Sequence, residues 1–414
     1  MMKNIIGYTM VIGLIFCSEV LFAQTPLNTY QETAAINNPG IQAIFKEYEM
    51  VMQKVPQIAA LPDPMFGFGY FISAVQTKTG PQEAVLSVSQ SFPWFGKLDA
   101  QEQATTERAK AVLEKFNNER SKLNFKLAST YNSLYVLRSA IRITDENLNL
   151  LNTFKRLAKV HFESGRGSMV DVLRIEMELG ELENQLQYLQ ESKQPLMAEF
   201  EQLLNTKLDV EVEFPKVLWS DTLAISKHLI MDSVNIHNPS ILSLQHELLS
   251  YNQDVIAARK TASPSFTLGL NYTFIGESAG YTGNDNGKDA ILPTLGVKIP
   301  LYRKKYNGLI REKEMASESV VLKKQDKANQ LQTELKQGFH KYDDAKRRVL
   351  LYIKLKDYAQ QAMNILVTEY SSAEANFEEL IRINRKLLKY ELELEKARAE
   401  QNTAVAYINY LMGK

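Results

Sequence analysis

The chain repeats itself. Asn38-Pro39 recurs as Asn238-Pro239, and at the same offset Ile36, Ile41, Glu47 and Gln53 match Ile236, Ile241, Glu247 and Gln253. Pro64, Phe66 and Gly69 match Pro264, Phe266 and Gly269. Further on the offset grows, so that Pro93 and Lys97 align with Pro300 and Lys304, and Leu173-Arg174-Ile175 with Ile381-Arg382-Ile383. Matches in this number at nearly one spacing mark a tandem duplication. After a leader over 1–23, the first repeat spans 24–208, a linker with Phe214-Pro215 and Trp219 to Asp221 spans 209–225, and the second repeat spans 226–414. Whatever fold one half adopts, the other must adopt as well.

Each half is expected to hold a helix, a β-hairpin, a long helix and a return helix. The first helices are 42–58 and 241–260, each followed by a proline-bearing break. The hairpins cover 66–92 and 266–299. In the stretch Ala84 to Lys97, Ala84, Leu86, Val88 and Phe92 alternate with Ser87, Ser89 and Ser91. In the next strand Phe266, Leu268, Leu270, Tyr272 and Phe274 alternate with Thr267, Gly269, Asn271 and Thr273. Period two gives a sheet with one greasy and one wet face. Strands of about 9 to 11 residues suit a membrane span. A sandwich reading lacks further strands to pack on, and a lone hairpin is marginal. The polar segments 76–83 and 276–289 read as the hairpin loops.

Pro93 ends the strand, because it has no N–H to donate to a ladder. Gly96 relaxes the turn, and from Lys97 the chain is proline-free for about a hundred residues, a length that needs long helices. Long helices are expected at 98–163 and 307–370. In the first, Leu123, Leu127, Leu134, Leu148 and Leu151 lie on a seam of threes and fours that continues through Lys155 and Ala158 to Phe162. The second copy repeats it from Leu331 through Lys356 to Tyr370. A helix over 98–163 spans roughly 100 Å at 1.5 Å per residue. Gly165, in the turn Ser164 to Ser168, is placed to stop the first long helix in the left-handed conformation. Return helices then run over 169–204 and 377–412. A strand handed straight to such a helix suits a membrane barrel standing on a helical tube.

Composition narrows the function. Lys and Arg total 48, as do Asp and Glu, so no basic excess speaks for nucleic acid. Lys3, the apolar run from Ile5 to Phe16 and Ala23 before Gln24 read as a secretory signal. The single cysteine, Cys17, lies inside it, and Phe16 is too bulky to precede a lipidated cysteine. No later stretch holds the roughly 20 apolar residues of a transmembrane helix, so a membrane contact must be a barrel. The histidines are scattered, with His161 read as an exposed helix residue, and no nucleophile–base pair or metal cluster emerges. No cofactor and no catalytic residue are expected. A periplasmic coiled-coil scaffold without channel activity remains the rival, and it leaves four amphipathic strands unexplained.

In order and in duplicate, the two Asn-Pro helix starts, Ser89-Gln90-Ser91-Phe92-Pro93-Trp94-Phe95-Gly96-Lys97, its copy Ile299-Pro300-Leu301, and the tip Gly165 to Leu173 resemble the TolC family of outer-membrane efflux proteins. The elbow leans toward the branch serving heavy-metal exporters. The resemblance implies an α+β membrane protein and a homotrimer. Four strands from each protomer close one transmembrane β-barrel in outer-membrane lipid, and an α-helical coiled-coil barrel continues it through the periplasm. It implies a periplasmic adaptor and an inner-membrane pump of resistance-nodulation-division or ABC type as partners. It places Gly165, Arg166, Gly167, Ala373 and Asn376 at the adaptor-facing tips, and Pro93, Gly96 and Pro300 at the strand–helix elbows. It assigns Asp171 and Glu379 to the periplasmic entrance. Arg174 and Arg382, three residues on, would balance their charge there. The second tip, Ser372 to Asn376, has Ala373 where the first has Gly165, so the two need not grip an adaptor alike.

Overall fold

The structure, a computed structural model, describes residues 26–208, 210–372 and 376–414. The expected leader with Cys17, and Ala373 at the expected second tip, lie outside the described residues. The first repeat folds as α1 (Pro26–Asn37), α2 (Pro39–Met52), α3 (Lys54–Ala59), β1 (Met65–Thr77), β2 (Gly80–Phe92), α4 (Lys97–Glu163), α5 (Met169–Glu191) and α6 (Lys193–Leu204). The second folds as α7 (Lys227–His237), α8 (Pro239–Thr261), β3 (Ser265–Ile275), β4 (Ala290–Lys298), α9 (Arg303–Ser371) and α10 (Phe377–Leu411).

The strands form one antiparallel sheet in the order β1-β2-β3-β4, so the two hairpins join through β2 and β3. The register lines up Phe68, Leu86, Tyr272 and Ile291 across the four strands, and likewise Phe66, Val88, Leu270 and Pro293. Alternation therefore gathers the apolar side chains on one face. The other carries Gly67, Ser87, Asn271 and Leu292, then Gly69, Val85 and Thr273, so it is mostly small and polar. The segment 76–83, expected as a loop, is nearly all strand, with only Lys78 and Thr79 between β1 and β2. The register slips between Tyr70 and Val75, and this irregularity absorbs the extra residues.

β2 stops at Phe92, before Pro93, and Gly96 enters α4 with φ 73°, a left-handed conformation in which a side chain would be strained. α4 has 67 residues and α9 has 69, each about 100 Å long. The expected return helix 169–204 is instead two helices broken at Ser192. Pro195 explains the break: it has no N–H for the carbonyl of Glu191, and its ring crowds that carbonyl. α1 and α7 were not legible as helices. α1 lacks a strong apolar stripe and owes its place to tertiary contacts, with Ala34 buried and Tyr30 edge-on to Phe200 at 5.2 Å.

The Asn-Pro repeat does one job twice. The Asn38 side-chain oxygen accepts from the N–H groups of Gly40 and Ile41, capping α2, and its Nδ2 donates to the Leu203 carbonyl of α6 at 3.0 Å. Asn238 caps α8 in the same way, and its Nδ2 donates to the Leu411 carbonyl of α10 at 2.8 Å. Proline follows at the first helical position, where a missing N–H costs nothing. Two helices shorter than α4 and α9 thus meet end to end in each repeat, α6 with α2 and α10 with α8. α8 bonds the early part of α4, through Ser250 to Ala104 and Ser243 to Ala111, whereas α10 bonds its middle, through Asn132 to Thr403 and Tyr135 to Glu395. His246 of α8 lies 2.7 Å from Glu107 of α4.

The linker is clamped to this framework. Tyr131 donates to the Glu213 carbonyl, Leu218 N–H donates to the Tyr135 hydroxyl, and Asn402 brackets Trp219 and Asp221. Phe214 packs on Tyr131 with ring centroids 4.9 Å apart. Most seam residues are buried, among them Leu127, Leu151, Leu335 and Tyr370. The lysines that interrupt the seam are neutralised by the return helices: Lys155 pairs with Glu176 at 3.0 Å, and Lys356 with Glu391 at 2.9 Å.

Candidate functional site

The far end of the helices, opposite the sheet, gathers the described tip and entrance residues singled out from sequence. Gly165 has φ 72° and ends α4: its N–H donates to the Phe162 carbonyl, while Arg166 and Gly167 both donate to the carbonyl of His161. A Cβ on Gly167 would sit 3.0 Å from that of His161 and 3.2 Å from the Phe162 nitrogen, so the turn admits little else there. Ser168 then caps α5, and Asp171 closes a capping box by accepting from the Ser168 N–H at 3.3 Å. At the second tip Asn376 caps α10 by accepting from the Glu378 N–H at 2.9 Å.

Two expectations change at this end. The first seam does not run to Phe162, which is 44 % exposed; His161 takes the inward position at 7 % and is not an exposed residue. Its ring stacks on Tyr370 at 4.7 Å, and Tyr370 in turn packs on Phe377. This aromatic column ties α4, α9 and α10 together, and only the final step of the repeat, three residues rather than four, could have revealed it. The Tyr370 hydroxyl is buried with no hydrogen-bond partner among the described residues. Burial, with Asp171 adding to it, pushes that hydroxyl up to about 12.

The second change concerns charge. Asp171 and Arg174 do not pair along their helix. Asp171 is engaged in the cap, and Arg174 reaches across to Glu378 of the other hairpin at 3.3 Å. Glu379 and Arg382 pair as neighbours on α10. A further bridge between hairpins, Arg385 to Glu178, was missed, because neither residue stands within a turn of the tip. Charged side chains thus reach between α5 and α10, and each of the guanidiniums of Arg174, Arg382 and Arg385 has a carboxylate partner. Around them Val160, Met169, Val170 and Leu173 are exposed.

At the other end, Trp94 stacks on Phe266 at 6.0 Å, so the elbow lies against the apolar side of the sheet, and Pro300 is buried at its counterpart. That apolar side is open: Phe66, Phe68, Tyr70, Leu268, Ile291 and Leu295 are between 54 % and 77 % exposed. No described helix is long and apolar enough to cross a membrane, and no group of three His, Cys, Asp or Glu among the described residues is placed to hold a metal.

No family model matches the chain. Two curated proteins, from two strains of Pseudomonas putida, are similar to it: the probable efflux pump outer membrane protein SepC and the toluene efflux pump outer membrane protein TtgF. Each is 26 % identical over 270 residues, which cover 60 % of this chain and 54 % of the relative. The chain therefore spans about half the length of the curated relatives it matches. Solved structures match over nearly all of it. The outer-membrane channel OprN superposes with a TM-score of 0.78 at 16 % identity, covering 94 % of this chain and 90 % of that one. The outer membrane protein VceC of Vibrio cholerae gives 0.75 at 18 %, covering 94 % and 96 %. The open-state MtrE channel of Neisseria gonorrhoeae gives 0.74 at 13 %, covering 94 % and 89 %.

Proposed function

With the fold of the TolC family of outer-membrane channels as premise, we propose that this chain is the exit duct of an efflux system. Three copies close a barrel from four strands each, embedded in the outer membrane, and the helices continue it as a tunnel through the periplasm. Substrates delivered by a periplasmic adaptor and an inner-membrane pump leave through it passively, so the choice of cargo rests with the pump. One observation carries this reading: a four-stranded sheet exposes an apolar face that, apart from Trp94 on Phe266, no described residue covers. In water such a face is a liability, whereas against lipid it is a requirement. The two unpaired edges, β1 and β4, are satisfied when neighbouring copies pair there.

The entrance belongs to the opposite end. The turn Gly165 to Gly167 and its counterpart around Asn376 offer the adaptor a surface rimmed by Val160, Phe162 and Val170. The bridges from Arg174 to Glu378 and from Arg385 to Glu178 hold the two hairpins of one protomer together, with Glu379 and Arg382 beside them. They act as a latch that adaptor docking loosens. Exposed pairs of this kind stabilise little singly, which suits a contact that must release.

Fractionation supplies the first test: a trimer in the outer-membrane fraction is expected, and a soluble periplasmic monomer would replace the duct by the scaffold. For the latch, Arg174→Ser with Arg382→Ser is expected to raise single-channel conductance in a planar bilayer without adaptor. It leaves Glu378 and Glu379 uncompensated, so the pore becomes more cation-selective. Unchanged conductance and selectivity in an assembled trimer would put the gate elsewhere.

A further inference from the structure

The rim where strands meet helices is strongly cationic. The four connections there, with the helical residues beside them, are 60–64, 93–97, 259–264 and 299–305. They hold six cations, Lys97, Arg259, Lys260, Arg303, Lys304 and Lys305, against the acid Asp63, with one further acid, Asp99, in the first turn of α4 bonded to Gln103. At the hairpin end of the same sheet, residues 78–79 and 276–289 hold two cations and three acids. The imbalance is therefore local to the helix side.

Internal pairing does not account for it. Arg259 is bound to Glu314 at 3.1 Å, and Arg303 donates to the Ala262 carbonyl. Lys97, Lys260, Lys304 and Lys305 form no ion pair with any described residue. They are also close together. The Lys260 ammonium lies 3.7 Å from where a Cβ on Gly96 would stand, next to Lys97, and the Arg303 contact brings the start of α9 to the end of α8. Interleaved with these cations are exposed apolar and aromatic side chains: Phe95 at 77 %, Leu301 at 75 % and Tyr302 at 82 %. At the first elbow Phe95 prolongs the apolar face of the sheet, because Trp94 of the same turn packs on Phe95 and stacks on Phe266 of that face.

We infer that this rim is a binding surface for anionic glycerophospholipid in the membrane leaflet that faces the helices. The inference rests on the outer-membrane reading above. The rings of Phe95 and Tyr302 sit at headgroup depth, where aromatic residues are favoured. The lysines lay their stems along the apolar surface and hold their ammonium groups at the lipid phosphates. A zwitterionic headgroup offers the same phosphate beside an ammonium that the lysines repel, so the rim selects a net negative lipid. Binding of this kind fixes the height of the barrel in the bilayer.

The full-length protein, solubilised in mild detergent, is incubated with equal phosphatidylglycerol and phosphatidylethanolamine, and the retained lipid is counted by native mass spectrometry. The wild-type trimer is expected to retain phosphatidylglycerol preferentially, with the preference falling as salt screens it. Lys97→Gln, Lys260→Gln, Lys304→Gln and Lys305→Gln should each lower it roughly fivefold at low salt. The fourfold Lys→Arg variant should keep it, which separates charge from fold if a glutamine variant assembles poorly. Equal retention of both lipids by the wild type, or a preference that survives all four glutamines, overturns the inference. Displacement by millimolar glycerol phosphate also overturns it, since the rim would then take a free phosphate. So does collapse of the glutamine variant to monomers when the wild type shows no lipid preference, because the lysines would then meet acids of a neighbouring copy. Fractionation of the same wild-type preparation keeps the two readings apart. A protein in the outer-membrane fraction without lipid preference loses only this inference, and one absent from that fraction loses both.

Discussion

Single side chains set where this fold begins and ends its helices, and Asn238 is the sharpest case. Its oxygen caps α8 while its amide holds the last turn of α10, and it is 1 % exposed. Replacing it by Ala removes a cap and orphans a buried carbonyl, a loss of about 2 kcal/mol. Asn38 makes the same bonds nearer solvent, so Asn38→Ala is expected to cost about 1 kcal/mol. Thermal unfolding of the two variants checks the order, and an equal loss would show that burial does not matter at these caps. The dipeptide was visible as a repeat before its purpose was, because a cap can be read locally but the helix it touches, more than 160 residues away, cannot. The same limit hid His161. Periodicity places a residue within a turn, and one step of three rather than four at the tip exchanged it with Phe162.

Among elements, the strands were the most legible, since alternation with period two states both the element and its faces. Their register puts Leu86 and Leu268 on the open apolar face, and Ser87 and Thr267 on the polar one. Leu268→Arg or Leu86→Arg is therefore expected to destabilise the barrel by about 2 to 4 kcal/mol if near the membrane midplane, less toward the interfaces. Thr267→Arg or Ser87→Arg should be tolerated and change conductance. Heat resistance of the trimer on gels reads the difference, and an equal response from both faces would mean that the strands are not a barrel wall. The return helix was less legible. A run of charged and apolar residues from Met169 to Leu204 satisfies helical periodicity throughout, and Pro195 alone carries the break at Ser192. The bridges Arg174 to Glu378 and Arg385 to Glu178 were out of reach, because they join segments about two hundred positions apart whose facing sides depend on the packing of four helices.

At the scale of the molecule, two kinds of support stand side by side. α4 and α9 run unbroken, whereas α6 with α2 and α10 with α8 are each cut where an Asn-Pro pair sits. Twisting the tip against the sheet therefore loads two continuous beams in torsion, while the two segmented ones turn at their joints, where a few side-chain hydrogen bonds and a capped end carry the stress. The segmented supports give at that level, while α4 and α9 carry torsion past it toward the sheet. Asn37 and Thr206 face each other across the first joint, Nδ2 to Oγ1 at 3.2 Å. Cysteines there, linked by a short bis-maleimide, should stiffen it, leave trimer stability intact and shrink the conductance gain of the Arg174/Arg382 variant in a planar bilayer. An undiminished gain would mean that the joint takes no part in the motion. In the duct proposed above, slack at mid-height lets the tip follow a moving partner on one side while the barrel keeps its seal on the other.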